Sequence, residues 1–142
     1  MQGERRKLRR REEQPVSREP RARLPSRALR GKAAERVAVD WLIVDGFAIL
    51  GTNVRLGSLE VDVLARKGPL LVVVEVRTRG KTSWQTAFGS VTGPKRRRLR
   101  RAVELVWRRA KHDLTLERIR VDVVAVNLDV SPVTVEVVRA VV

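Results

Sequence analysis

Two acids interrupt stretches that would otherwise read as plain aliphatic sheet. Asp62 breaks the alternating run Leu59–Arg66, and Glu75 closes the run LLVVVEVR at residues 70–77. Between them, Lys67-Gly68-Pro69 is a turn signal. With Lys67-Gly68 as a two-residue hairpin loop, Asp62 faces Val73 and Glu60 faces Glu75. Asp62 and Glu75 then become diagonal neighbours on one face, roughly 7–8 Å apart at the backbone. That separation lets two carboxylates reach a single cation. A loop longer by one residue would flip one strand and part them. Mg²⁺ or Mn²⁺, hard and oxygen-seeking, suits metal ligands such as Asp62 and Glu75. Such an ion can activate water and stabilise the charge that builds on a phosphodiester under attack. Arg77, on the same face as Glu75, could hold the phosphate. The same spacing also fits Glu60, Asp62 and Glu75 as edge acids paired with neighbouring arginines, and spacing alone leaves both open.

The elements that would position these groups follow from periodicity. From Lys32 to Asp45, Ala34, Val37, Ala38, Trp41 and Leu42 recur at helical spacing, with Gly46 where helices often end. Phe47–Val54 reads as a strand. Leu70–Arg77, nearly all aliphatic, reads as a strand covered on both faces. A second helix spans about Pro94 to Lys111, with proline in its first turn and Leu99, Ala102, Val103, Val106 and Ala110 as its buried stripe. Arg118–Leu128 and Val133–Val141 are valine-rich strands. The order is α-β-β-β-α-β-β, one α/β domain over residues 27–142. Residues 1–26 carry three prolines and few large apolar side chains, the pattern of a disordered basic arm. Residues 78–93 read as a loop, in which Trp84 and Phe88 either stack on unpaired bases or plug the core. Trp41 and Trp107 fall in phase with the helix core faces.

Composition narrows the chemistry. The chain has no cysteine and one histidine, His112, so disulfides, thiolate catalysis, Cys/His zinc sites and Ser-His-Asp triads lack their parts. Carboxylates, lysine, arginine or a hard metal must carry any catalysis. Lysine and arginine total 31 against 16 acids, a formal charge of +15. This charge is clustered: Lys95, Arg96, Arg97, Arg98, Arg100, Arg101, Arg108, Arg109 and Lys111 crowd one helix whose single acid is Glu104. Arginine's planar fork matches phosphate oxygens, so nucleic acid, DNA before RNA, is the expected partner. If about six of these residues touch phosphate, affinity falls by orders of magnitude over a fourfold rise in salt. No run approaches the ~20 apolar residues of a membrane span. The basic N-terminus is not followed by an apolar stretch, so the expected location is cytoplasmic.

Ordered motifs over about residues 30–125 carry a resemblance. Gly31-x-x-Ala34-Glu35-x-x-Ala38, Asn53-Val54-Arg55, Glu60-Val61-Asp62-Val63-Leu64-Ala65, Val73-Val74-Glu75-Val76-Arg77-Thr78-Arg79 and Arg120-Val121-Asp122-Val123-Val124 resemble the YraN family of small bacterial proteins. That family is similar to the PD-(D/E)xK nuclease superfamily, whose restriction-endonuclease-like fold is shared by Holliday-junction resolvases. The resemblance implies an αβββαβ core with a mixed sheet flanked by helices. It makes Asp62 and Glu75 the metal-binding acids, places Arg77 where a lysine is expected, and offers Glu35 as an auxiliary acid. Two departures stand out: Leu59 replaces the glycine ahead of Glu-x-Asp, and Arg77 replaces the lysine. Arginine stays charged and cannot serve as a general base, although it can orient phosphate.

The expected catalytic set is therefore Glu35, Asp62, Glu75 and Arg77. The expected nucleic-acid contacts are Arg55, Arg79, Lys95, Arg96, Arg97, Arg98 and Arg101. The expected activity is a metal-dependent endonuclease on branched or flapped DNA. The alternatives are a DNA-binding protein that has lost catalysis, or an RNA-binding or ribosome-associated module. A homodimer would suit two-fold junctions.

Overall fold

The computed structural model describes residues 26–79 and 91–139. The basic arm, apart from Ser26, and the segment holding Trp84 and Phe88 lie outside the described residues. The elements are α1 (Arg27–Val44), β1 (Ala48–Leu56), β2 (Leu59–Lys67), β3 (Leu70–Arg79), α2 (Gly93–Ala110), β4 (Arg118–Asn127) and β5 (Thr134–Val138). Helix α1 begins five residues before the expected Lys32. Ser26 caps it, its Oγ accepting from the Leu29 N–H at 3.3 Å, and good helix formers fill the first turn.

The strands form one mixed sheet in the order β1-β2-β3-β4-β5. Strands β3 and β4 are parallel, joined through α2, and the other neighbours are antiparallel. Ala34, Ala38 and Leu42 of α1 pack on Val63, Ala65, Val72, Val74, Val124 and Val126. Leu99, Ala102 and Val106 of α2 pack on Val61, Leu71, Val73, Val121, Val123 and Ala125 on the other face. Residues 70–75 are buried without a break, as a strand covered on both sides requires. Each valine so buried contributes about 1.5–3 kcal/mol. This is the α/β architecture of a restriction-endonuclease-like core, a mixed sheet between two helices, with β5 as a short added edge.

Three expectations need correction. The hairpin loop is Gly68-Pro69, since Lys67 pairs with Leu70. Proline has no N–H to give a ladder and sits in the loop, and Gly68 supplies the positive φ of 56°. The alternation of β2 also breaks. Leu59 and Val61 join the core under α2, whereas Val63 and Ala65 join the core under α1. The strand changes face at Asp62. Finally, Trp107 is 46% exposed, one position off the buried Leu99–Ala102–Val106 stripe, so it is not a core residue.

Candidate functional site

The break in β2 shapes the site. Pairing of β2 with β3 ends at Val63 and Val74. One step further, Asp62 comes level with Glu75 rather than diagonal to it, because the true loop shifts the register by two; the change of face in β2 turns Asp62 towards the α1 side, while Glu75 faces Arg98 of α2. There the Asp62 carboxylate, not the β2 backbone, takes the Val76 N–H, with Oδ2 accepting at 2.7 Å. The two acids thus stand level in mid-strand, where β2 leaves β3 and Glu75 pairs on its other side with Val123 of β4.

A cleft of about 360 Å³ opens there, lined by Arg27, Gly31, Ala34 and Glu35 of α1, Asp62 of β2, and Val76, Arg77 and Thr78 of β3. Glu35, Asp62 and Arg77 therefore share one cavity. Arg30 ties the first turn of α1 to the turn after β4, its Nη2 donating to Asp129 at 2.9 Å, which fixes the helix as one wall. Glu75 is not among the lining residues. It is 6% exposed and faces α2, where Arg98 Nη2 lies 3.1 and 3.3 Å from its two oxygens and Arg77 Nη1 lies 3.7 Å away.

Charge in the site is only partly neutralised. Burial pushes the Asp62 carboxyl above its ordinary range, against the Val76 N–H and the arginines Arg98 and Arg77. Burial also raises Glu75, the negative charge of Asp62 adds to it, and Arg98 and Arg77 oppose it. Glu35 is raised by burial too, with an Asn53 hydrogen bond pulling the other way and Asp62 and Glu60 reinforcing the rise. Asp62 thus lies within electrostatic reach of both Glu35 and Glu75, and burial raises all three carboxyls. The donors are all oxygen, which suits Mg²⁺ or Mn²⁺ and not a soft metal. Among the described residues no three such groups converge into a ready cage. A magnesium-like ion does not need one, since it keeps waters and takes one or two carboxylates. Asp62 and Glu35 present carboxylates to the cleft, and Glu75 beside Asp62 is engaged by Arg98.

The basic residues sort into separate roles. Arg98, expected on phosphate, is held by Glu75. Arg101 reaches Glu104 at 3.0 Å one turn along the helix. Arg97, Arg100 and Arg108 are exposed on α2. Lys95 and Arg96 are half-buried in the first turn, and burial together with Arg77 lowers the Lys95 ammonium below its ordinary value. Arg79 ends β3, half-buried. Arg55 lies far from this group: its backbone carbonyl accepts from Arg109 in the last turn of α2, and its side chain is 84% exposed beside Glu60. One expected residue takes a different partner, and one participant was not singled out. Arg98 meets Glu75 across 23 residues, a contact no local pattern announces. Asn53 donates to Glu35, and a signal for it existed, since asparagine is uncommon inside strands.

No helix among the described residues is long and apolar enough to cross a membrane. Comparison with known proteins places relatives around this geometry. The model of the uncharacterised protein family UPF0102 matches residues 34–126, from the middle of α1 to the end of β4. The UPF0102 protein sce2912 of Sorangium cellulosum is 41% identical over 112 residues, covering 78% of each chain. A UPF0102 protein of Kineococcus radiotolerans is 44% identical over 107 residues, 75% of this chain and 87% of the relative. One from Dictyoglomus turgidum is 32% identical over 98 residues, 69% of this chain and 81% of the relative. The matched span holds Glu35, Asn53, Asp62, Glu75, Arg77 and Arg98.

Proposed function

The chain belongs to the uncharacterised protein family UPF0102, the YraN family, and we propose that it is a metal-dependent nuclease-like enzyme acting on branched or flapped DNA. The observation that supports this most is the pair of acids Asp62 and Glu75, level on the adjoining strands β2 and β3 and both raised by burial against the arginines Arg98 and Arg77. A Mg²⁺ or Mn²⁺ ion bound there would activate water and stabilise the developing charge on a phosphodiester. Asp62 and Glu75 hold that ion. Glu35, on the opposite wall of the cleft, orients the attacking water. Arg77 clamps the phosphate and, being permanently charged, moves no proton. The exposed arginines of α2 draw the nucleic-acid backbone towards the cleft, with Arg55 and Arg79 as outlying contacts. The cytoplasm is the proposed compartment, and a homodimer would match a two-fold junction.

Binding without cleavage is a second reading, and a specific feature favours it. Arg77 stands where the superfamily resemblance calls for lysine, and Arg98 occupies the carboxylate that the ion needs. The two readings part in one assay. Purified protein is incubated with plasmid, junction and flap DNA in Mg²⁺ or Mn²⁺, beside Asp62→Ala and with structured RNA as competitor. The enzymatic reading expects cleavage that falls by about 10²–10³-fold in Asp62→Ala, the loss typical of one preorganised charge-stabilising group, with DNA binding retained. Binding with no cleavage by the wild type selects the second reading. Cleavage that survives Asp62→Ala removes the enzymatic one.

A further inference from the structure

Asn53 has φ 49°, the one non-glycine residue in the left-handed region among those described. It sits where the two strands of the first hairpin change face. Thr52 pairs with Val63 and Val54 with Val61, which brings Asn53 level with Asp62, yet these two are not paired. On one side of this level Val54 and Val61 face the core under α2; on the other Val63 faces the core under α1. A regular strand cannot make that change, because its side chains alternate strictly. A left-handed residue opposite Asp62 supplies the turn. Its amide then reaches across the cleft wall, Nδ2 donating to Glu35 Oε2 at 3.3 Å.

We propose that Asn53 is a positioning residue of the cation site: its backbone turns Asp62 into the cleft, and its amide tethers Glu35 beside that acid. The inference rests on the cation reading given above. The residue type fits both tasks. Asparagine is among the few non-glycine residues that adopt the left-handed conformation at modest cost, and its amide is a donor that a carboxylate accepts. Glycine at this position would keep the backbone and lose the tether. Alanine would lose both. The two contributions are therefore separable by substitution.

The test is calorimetric titration of Mn²⁺ into the full chain without nucleic acid, for the wild type, Asn53→Gly, Asn53→Ala, Glu35→Ala, the double variant Asn53→Gly/Glu35→Ala, and Asp62→Ala as reference. Asn53→Gly is expected to weaken Mn²⁺ binding by about tenfold, the usual size of losing an outer-shell partner. Glu35→Ala should do the same, and the double variant should match Glu35→Ala alone, because the tether acts through Glu35. Asn53→Ala should bind more weakly than Asn53→Gly. If Asn53→Ala does not fold, the comparison of Asn53→Gly with Glu35→Ala decides. Wild-type affinity in Asn53→Gly, or losses that multiply in the double variant, would reduce Asn53 to a fold residue and overturn the inference while leaving the cation reading intact. Mn²⁺ binding that is absent in the wild type, or unchanged in Asp62→Ala, sinks the cation reading and the inference with it.

Discussion

At the hairpin end of β2 and β3, Asp113 accepts from the Thr115 hydroxyl, from Arg66 Nη1 at 2.6 Å and from the Thr115 N–H, and these donors hold its carboxyl down to about 2. Arg66 also gives its Nε to the Gly68 carbonyl at 2.8 Å and its Nη2 to Thr115 at 2.6 Å. Further along the same strands, half-buried Asp62 and buried Glu75 share the arginines Arg98 and Arg77, and burial raises both carboxyls. A second contrast lies within the sheet. Asp122, on the strand beside Glu75 and only 2% exposed, receives both Nε and Nη2 of Arg120 at 2.8 and 2.7 Å. Glu75 receives one nitrogen of Arg98 at longer range. Acids that serve the fold are met by matched donors, while for Asp62 and Glu75 the effect of burial outweighs that of the nearby donors. Acids raised by burial in and beside a cleft mark a candidate functional site on that physical ground.

The contrast can be broken by giving the site its cation. With Mn²⁺ at about 100 times its dissociation constant, wild-type stability should rise by about 2.7 kcal/mol, read as a shift in thermal midpoint, and Asp62→Ala should show no shift. Equal shifts in the two proteins would mean that the ion binds elsewhere. Arg66→Ala probes the opposite end. It should lower the melting temperature by about 4 °C, a typical response to the loss of a small polar cluster, and leave Mn²⁺ affinity unchanged. A change in affinity would show the two ends to be coupled.

The smallest effect concerns pH. Because the folded pKa of Glu75 is raised, stability from this group is fully present below its ordinary value of 4.5 and is lost as pH rises through the raised value. Asp113 works in reverse: its contribution is present above the ordinary 3.8 and is lost as pH falls through about 2. Glu75→Gln should therefore be more stable than the wild type at neutral pH, by about 1 kcal/mol, the scale of relieving strain at a functional site. That advantage should vanish on acidification to about pH 4. An advantage that is constant with pH, or a loss at neutral pH, would mean that Arg98 satisfies Glu75 fully.

Local periodicity carried much of the fold. The stripe Ala34–Ala38–Leu42 gave α1 its buried face, Pro94 marked the start of α2, and the unbroken run at residues 70–74 placed β3 in the middle of the sheet. What local pattern could not carry was pairing. The hairpin loop slid to Gly68-Pro69 because proline cannot serve a ladder, and a two-residue slip by itself keeps side-chain parity, so the acids stayed neighbours at a changed level. The change of face in β2 then turned Asp62 towards the α1 cleft while Glu75 met α2. The turnover of β2 at Asp62 depends on the backbone of Asn53 in another strand, and the hold of Arg98 on Glu75 depends on how α2 packs. Both are long-range facts, invisible to a window of one strand or helix. Trp107 shows the reverse error, since one residue of phase on a helix, about 100°, moves a side chain from core to solvent.

Crystals grown with Mn²⁺ and measured near its absorption edge would locate the cation relative to Asp62 and Glu75. One anomalous peak is expected, bound by a carboxylate oxygen of Asp62 and one of Glu75, with Arg98 moved off Glu75. Arg98 still seated on Glu75, with no peak between the two acids at saturating Mn²⁺, would contradict the cation reading.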